Sequence, residues 1–256
     1  MVTVNLMGGL GNQLFQYAYS RALAAQGREV YLTNIQVVNV TDHRIYSLDG
    51  FNTIVKLHNP PPIGAAPLYE SGLPFDERML NIPEPTIVYG YFQTEKYFLN
   101  IEDSIRKELT LKSSLSEKAQ AIAKEIQSCE SISLHVRRGD YLQLLAFHGM
   151  VEPTYYTAAI GTISQKVSNP KVFIFSDDPK WCEDNLTGTV IETGSKFEDL
   201  HLMSLCRHNV IVNSSFSWWG AWLNPNPDKI VVAPKRWFSA KDLDSRDIIP
   251  DGWIKI

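Results

Sequence analysis

The sequence predicts an α/β protein built on doubly wound parallel sheets, and three observations carry that expectation. First, the chain opens with an apolar run at 2–6, a glycine-rich turn, a helical period at 14–25 and a second apolar run at 29–32. This is a β-turn-α-β unit, the repeating piece of a parallel sheet. Second, from residue 131 onward short β-branched and aromatic runs alternate with helical periods. Third, charged and hydroxyl residues gather where those runs end, which is where open α/β sheets bind ligands.

Taken in order, the helix at 14–25 places Phe15, Ala18, Tyr19, Ala22 and Leu23 on one face at helical spacing, and Gly27 ends it. The turn before it, Met7-Gly8-Gly9-Leu10-Gly11-Asn12-Gln13, invites a dinucleotide fingerprint. The match fails, because Leu14 stands where the third glycine belongs and Glu29 comes early for a ribose-binding acid. Anion binding survives that failure. Free amides at Gly11, Asn12 and Gln13, helped by the helix dipole, suit phosphate oxygens, and the two side-chain amides add donors. The competing reading is a tight turn capped by Asn12.

Residues 33–85 are broken by Asn59-Pro60-Pro61-Pro62 and by prolines at 67, 74, 83 and 85, which mark irregular connections. A strand follows at 86–92. The nearby aromatics Tyr89, Tyr91, Phe92, Tyr97 and Phe98 suit either a sugar-stacking surface or, more commonly, a core. Helices at 101–109 and 116–127 lead to a strand at 131. Beyond it come a helix at 153–167, strands at 171–175 and 189–191, a helix at 197–207, a strand at 209–212, a helix at 218–223 and a last strand at 230–233 before an irregular tail. Two domains are expected, 1–129 and 130–256.

Composition limits the function. A chain of 256 residues with 44% apolar and 20% charged side chains can bury one large core or two modest ones. The formal charge of −4 leaves no global basic field for nucleic acid or anionic lipid, so a phosphate would be held locally. Cys129, Cys182 and Cys206 are odd in number and lack metal spacing, which fits a reduced compartment. The first residues lack the pattern of a signal peptide, and no run nears the ~20 apolar residues of a membrane span. The expectation is a cytoplasmic protein, with peripheral membrane contact compatible with it. The sequons at Asn39, Asn185 and Asn213 then carry no glycan.

Three strand ends hold the chemistry. The run Ser133-Leu134-His135-Val136-Arg137-Arg138-Gly139-Asp140-Tyr141 ends a buried strand in two guanidiniums, whose planar forks match phosphate oxygens. Successive strand side chains point to opposite faces, so one arginine reaches a ligand while the other, with Asp140, braces the loop. Ser176-Asp177-Asp178 supplies carboxylates able to accept from guanine N–H groups. Ser214-Ser215-Phe216-Ser217 supplies hydroxyls and amides at a helix start, suited to phosphate. Bland alternatives stand beside each: a surface ion pair, an Asp cap and a Ser cap.

The blocks Met7-Gly8-Gly9-Leu10-Gly11-Asn12-Gln13-Leu14-Phe15-Gln16-Tyr17-Ala18, His135-Val136-Arg137-Arg138-Gly139-Asp140-Tyr141, Phe175-Ser176-Asp177-Asp178 and Asn213-Ser214-Ser215-Phe216-Ser217-Trp218-Trp219-Gly220-Ala221-Trp222-Leu223 resemble the motifs of the α-1,2-fucosyltransferases of glycosyltransferase family 11. The resemblance spans most of the chain and is weak at 33–85. It implies a GT-B fold, two Rossmann-like parallel-sheet domains with the active site in the cleft between them. The N-terminal one would be acceptor-side and the C-terminal one would bind GDP-fucose.

It further implies GDP-β-L-fucose as donor and inverting transfer to the 2-OH of a galactose-terminated glycan, with no metal and no other cofactor. By the same resemblance Arg137 meets the donor diphosphate and Asn12 approaches the phosphate. His135 with Asp177 or Asp178 approaches the guanosine, and Ser214, Ser215 and Phe216 line the diphosphate beside Arg138. Asp140, Glu152 and His148 are the candidate bases for the acceptor hydroxyl. Asp242-Leu243-Asp244 matches a metal-binding Asp-x-Asp by letter, but it lies in the polar tail rather than after a strand. The rivals are a fucosyltransferase of another linkage and a sugar-nucleotide-binding protein without catalysis.

Overall fold

The computed structural model describes residues 1–34, 46–58, 64–139, 151–240 and 243–256. The chain folds as two compact units. The first comprises Met1–Ser113 and Asp244–Pro250, the second Ser114–Leu243 and Asp251–Ile256. The boundary therefore falls sixteen residues before the expected division at 129/130, and the tail returns to both units. The reason is packing. Helix Glu117–Gln127 buries Ala119, Ala123 and Ile126 against Phe173, Phe175, Leu202 and Met203, so it belongs to the second core.

In the first unit, β1 (Val2–Asn5), β2 (Val30–Thr33), β3 (Ala66–Tyr69) and β4 (Thr86–Tyr89) form a parallel sheet in the order β2-β1-β4-β3. Helix α1 (Leu10–Ala25) connects β1 to β2. It starts four residues earlier than its apolar period suggests, because Gly8, at φ 76°, completes the turn at once. Gly11, Asn12 and Gln13 thus lie in the first turn of the helix rather than before it. The strand expected at 86–92 stops at Tyr89. Phe92 then takes φ 51° and stacks on Tyr19, with ring centroids 3.8 Å apart. Strand β3 lies in the stretch read as irregular. Its Pro67 is tolerated because β3 is the sheet edge. Helix α2 (Glu102–Glu108) completes the regular structure of this unit's main segment.

In the second unit, helix α3 (Glu117–Gln127) begins at a Ser116 cap whose hydroxyl accepts from the Ala119 amide. Then come β5 (Ser131–Val136), α4 (Pro153–Ser164), β6 (Lys171–Ser176), α5 (Pro179–Asn185), β7 (Thr189–Ile191), α6 (Lys196–Leu205), β8 (His208–Val210), α7 (Ser215–Trp222), β9 (Val231–Ala233) and β10 (Ile254–Lys255). The six strands are parallel in the order β10-β9-β8-β5-β6-β7. Strand β10 was not expected. Two residues of the tail pair with Val232 and Ala233, and Trp253 packs 5.6 Å from Trp218.

Central strand β5 is buried along its whole length. On one face Ile132, Leu134 and Val136 meet Tyr156, Ala159 and Ile163 of α4. Its other face is polar. There Asn209 donates to the Ser133 hydroxyl at 2.7 Å and to the Met203 carbonyl at 2.9 Å. Asn224 in turn donates to Asn209 Oδ1 at 2.8 Å and to the Cys206 carbonyl at 2.7 Å. No helix among the described residues is long and apolar enough to cross a membrane.

A buried polar group left without its partner costs about 1–3 kcal/mol. Asn209→Ala is therefore expected to lower stability by about that much, read as the denaturant midpoint. Ser133→Ala, which leaves Asn209 its carbonyl acceptor, should cost less.

Candidate active site

Counting outward from β5, the second sheet runs 3-2-1-4-5-6, the order of a dinucleotide-binding fold, with its reversal point between β5 and β8. Pairing sets His135 beside Phe175, Val136 beside Ser176 and Leu134 beside Val210. The three polar strand ends read from the sequence therefore come from three neighbouring strands and open on one edge.

At that edge the arginines and aspartates interlock. Arg137 Nη1 lies 3.0 Å from Asp177 Oδ2, and Arg138 Nε donates to Asp178 Oδ2 at 3.1 Å. The Asp177 carboxylate also accepts from the Arg138 amide at 2.9 Å and the Gly139 amide at 3.1 Å. A side chain at 139 would place its Cβ 2.8 Å from Asp177 Oδ2, so the carboxylate would have to shift to admit one. Arg138 is the more buried of the two and stacks over Trp181, 4.1 Å from the ring centroid. Arg138 is thus the more closely packed of the pair and Arg137 the more open.

Arg138 is braced from the neighbouring strand end. Asp178 holds Arg138, whereas Asp140 lies outside the described residues, as does His148. The two aspartates also do more than await a base. Asp178 caps α5 by accepting from the Trp181 amide at 3.2 Å, and Asp177 ties down the arginine loop.

Beside this lattice, His135 is 5% exposed, and its Nδ1 has no partner among the described residues. Its ring lies 5.6 Å from that of Phe216, which joins the end of β5 to the start of α7. Burial, reinforced by the Arg137 charge, pushes the His135 pKa down to about 3, so the imidazole is neutral. Helix α7 begins at Ser215, three residues before the expected start. Ser214 is the cap residue, without a side-chain capping bond. The first helical bond runs from the Trp218 amide to the Ser214 carbonyl at 3.0 Å, so the amides of Ser215, Phe216 and Ser217 lie ahead of it. Glu152 is exposed just before α4, and its carbonyl, not its carboxylate, receives the Tyr155 amide.

The glycine turn of the first unit sits at that sheet's own reversal, between β1 and β4. Two buried glutamines fix it. Gln13 donates to the Gly8 carbonyl at 3.1 Å and accepts from the Ser47 amide at 2.9 Å. Gln16 accepts from the Met7 amide and donates to the Gly90 carbonyl, each at 3.0 Å. Gln13, expected to offer its amide to a phosphate, is fully buried in this bracing role. Gly11 is buried within the helix. Asn12 accepts from Gln93 Nε2 at 2.8 Å.

Sequence reading passed over Glu70, at the end of β3. Its carboxylate accepts from the Tyr91 amide at 2.8 Å and the Phe92 amide at 3.1 Å. Burial raises its pKa to about 7 against the lowering effect of those two amides. The one hint in the sequence is its place after an apolar run, and Pro67 obscured that run.

Among the described residues no three His, Cys, Asp or Glu side chains are grouped to hold a metal. Asp242 is outside them, and Asp244 is engaged by Arg246 at 2.6 Å. What the second unit does offer is a cation and a row of amides on one edge, the complement of a diphosphate. Its neutral imidazole sets a pH dependence. The folded His135 pKa lies below the unfolded value of about 6.5. Its contribution to stability is therefore complete above pH 6.5 and is lost as pH falls toward 3. Stability should decline across that window by up to about 1.4 kcal/mol per pH unit from this proton alone. Denaturant titrations of His135→Gln should show a correspondingly shallower acid decline than wild type.

The chain resembles known proteins along its whole length. It is 29% identical to an alpha-1,2-colitosyltransferase of Escherichia coli, covering 100% of this chain and 99% of that one. It is 28% identical to galactoside alpha-(1,2)-fucosyltransferase 2 of Oryctolagus cuniculus, over 87% of this chain and 67% of the relative. The crystal structure of the R284K mutant of Arabidopsis thaliana FUT1 with GDP superposes at a TM-score of 0.51 and 12% identity. That match covers 90% of this chain and 69% of the other, and supports the GT-B class for these two parallel-sheet units. The family described as Glycosyl transferase family 11 matches residues 71–256. The chain is a glycosyltransferase and belongs to glycosyltransferase family 11.

Proposed function

We propose that this glycosyltransferase moves L-fucose from GDP-β-L-fucose to the 2-OH of a terminal galactoside, with inversion, forming an α-1,2 linkage without a metal. The α-1,2 linkage is the one named for both the colitosyl and the fucosyl relatives. One observation carries the donor side. The ends of β5, β6 and β8 are neighbours, so Arg137, the neutral His135 and the first amides of α7 share an edge at the reversal point of a nucleotide-binding sheet.

Breaking the bond between sugar and phosphate leaves positive charge on the ring and added negative charge on the diphosphate. Donors fixed in advance at the site of that charge lower the barrier most. Arg137 is fixed by Asp177, and the α7 amides by the helix itself. In this scheme Ser214, Ser215 and Phe216 line the phosphate. The unpartnered Nδ1 of His135 serves the nucleoside. The acceptor hydroxyl attacks from the face opposite the diphosphate and gives its proton to a base. Glu152, exposed at the start of α4, and Asp140 are the carboxylates proposed for that step.

A second donor is favoured by one finding, the full-length resemblance to a colitosyltransferase. Colitose is L-fucose without its 3-hydroxyl. A site that hydrogen-bonds that hydroxyl would reject the deoxy sugar by about 10⁴-fold or more, whereas an apolar contact there would accept both.

The test is to incubate the protein with GDP-fucose or GDP-colitose and a panel of galactosides, then determine the product linkage and anomeric configuration by NMR. An α-1,2-fucosyl product supports the reading. Transfer to another position, or binding of donor without GDP release in the presence of acceptor, overturns it. Arg137→Ala should lower kcat by about 10²–10³, the usual effect of losing one such donor, and Arg137→Lys should recover little of it. Turnover should persist in excess EDTA, and a strict divalent-metal requirement would refute the metal-free scheme.

A further inference from the structure

The aromatic cluster at the carboxyl ends of β3 and β4 divides in two. Phe92, Tyr97 and Phe98 are wholly buried and form core. Tyr69, the last residue of β3, is 66% exposed, and Tyr91, two residues past the end of the neighbouring β4, is 38% exposed. Tyr69 and Tyr89 stand opposite each other in register, their rings stacked with centroids 5.0 Å apart and planes 20° from parallel. Tyr91 follows Gly90 and is tied back by Glu70, whose carboxylate receives its amide at 2.8 Å. Glu70 itself is joined to β4 through its amide on the Tyr89 carbonyl at 2.8 Å.

Nor does position 90 have room for a side chain. A Cβ there would lie 2.6 Å from Glu70 Cβ and 2.7 Å from Phe92. Two strand ends are thus clamped together, with the Tyr69–Tyr89 pair and Tyr91 at their rim and the Glu70 carboxylate turned to the Tyr91 and Phe92 amides.

Tyrosine exposed in this way is a large apolar surface with a polar tip, and it needs a partner of the same dual character. A hexopyranose has it. One face presents C–H groups that pack on an aromatic ring, and its edges present hydroxyls that stay in contact with water. The patch lies where parallel sheets bind ligands, one strand removed from the glycine turn of α1. Every family 11 transferase must bind an acceptor as well as a donor.

We propose that Tyr69, Tyr89 and Tyr91, at the carboxyl ends of β3 and β4, form a subsite for a pyranose ring of the acceptor glycan. The inference rests on the reading of the chain as a galactoside transferase. Tyr69 and Tyr91 supply the stacking faces, and Glu70 is a positioning residue that holds Tyr91 in place. The site therefore sets acceptor affinity and leaves the donor untouched.

Initial rates with varied galactoside and saturating GDP-fucose test this on the full chain. Tyr69→Ala and Tyr91→Ala are each expected to raise the acceptor KM at least fivefold. The donor KM, and donor hydrolysis without acceptor, should stay within twofold of wild type, and Tyr69→Phe should behave as wild type. An acceptor KM within twofold of wild type in both alanine variants, at unchanged Tm, overturns the subsite.

Ring-labelled tyrosine NMR of the wild-type chain with GDP and methyl β-galactoside gives an answer that needs no variant. Selective shifts of the Tyr69 and Tyr91 rings support the subsite, and their absence at millimolar sugar overturns it. A wild-type chain that transfers to no galactoside refutes the galactoside reading instead, while the ring titration still judges the subsite. If Tyr69→Ala merely dissociates a dimer and leaves acceptor KM unchanged, the patch is a contact between copies and the proposal falls.

Discussion

The second unit depends on how charge is disposed where parallel strands end together. Strands in a sheet lie about 4.8 Å apart, so side chains on adjacent strand ends must be electrically compatible. Here β5 ends in two guanidiniums and β6 in two carboxylates, and each arginine finds its own aspartate. Without that match, two cations on consecutive residues would repel each other and scatter the loop. With it, the backbone at 138 and 139 is fixed by the same Asp177 that meets Arg137. Exposed ion pairs contribute little to stability as a rule. The value of this lattice lies in orientation, since a donor that is already placed loses little freedom when an anion arrives.

The first unit solves the same problem with neutral groups. Its turn after β1 is glycine-rich, and it is held not by ion pairs but by buried amide side chains. Gln16 reaches from the helix to both Met7 and Gly90, joining the ends of β1 and β4. Gln13 closes the turn on Gly8 and takes the Ser47 amide. Such residues look like ligand donors in a sequence because their chemistry is identical. Only their burial, with every polar atom committed, separates a brace from a binding group. In both units the reversal point of the sheet is therefore pre-shaped from within before any ligand is present.

Much of this was legible from periodicity and position. The β-α-β rhythm, the two parallel sheets and the gathering of Arg137, Asp177 and Ser214 at strand ends follow from alternating apolar runs and from what interrupts them. Boundaries were less legible, for specific reasons. Gly11 disfavours a helix in isolation, yet α1 runs through it because buried Leu10 and Leu14 anchor the turn. Helix α7 is apolar on nearly every side, with Trp218, Trp219 and Trp222 packed on one another, so it has no stripe to announce its start. Strand β3 carries a proline that argues against a strand except at an edge, and the sequence does not reveal which strand is the edge. Strand β10 is too short to show any period.

Roles were the least legible part, and the aspartates show why. From sequence, Asp177 and Asp178 are carboxylates after a strand and before a helix, open to capping, ion pairing or base recognition. The structure gives both of them intrachain partners: Asp178 caps a helix and holds Arg138, while Asp177 holds Arg137 and two amides. A carboxylate so occupied can still meet a nucleotide, but only through lone pairs its own chain leaves over. His135 is the opposite case. It is buried and neutral, with one ring nitrogen unmatched among the described residues. A fold seldom leaves a buried polar atom without a partner, since each costs stability that nothing else in the core returns. That nitrogen keeps hydrogen-bonding capacity to spare, which the two aspartates have largely spent on their own chain. Its place on β5 sets that spare capacity on the strand at which the sheet reverses.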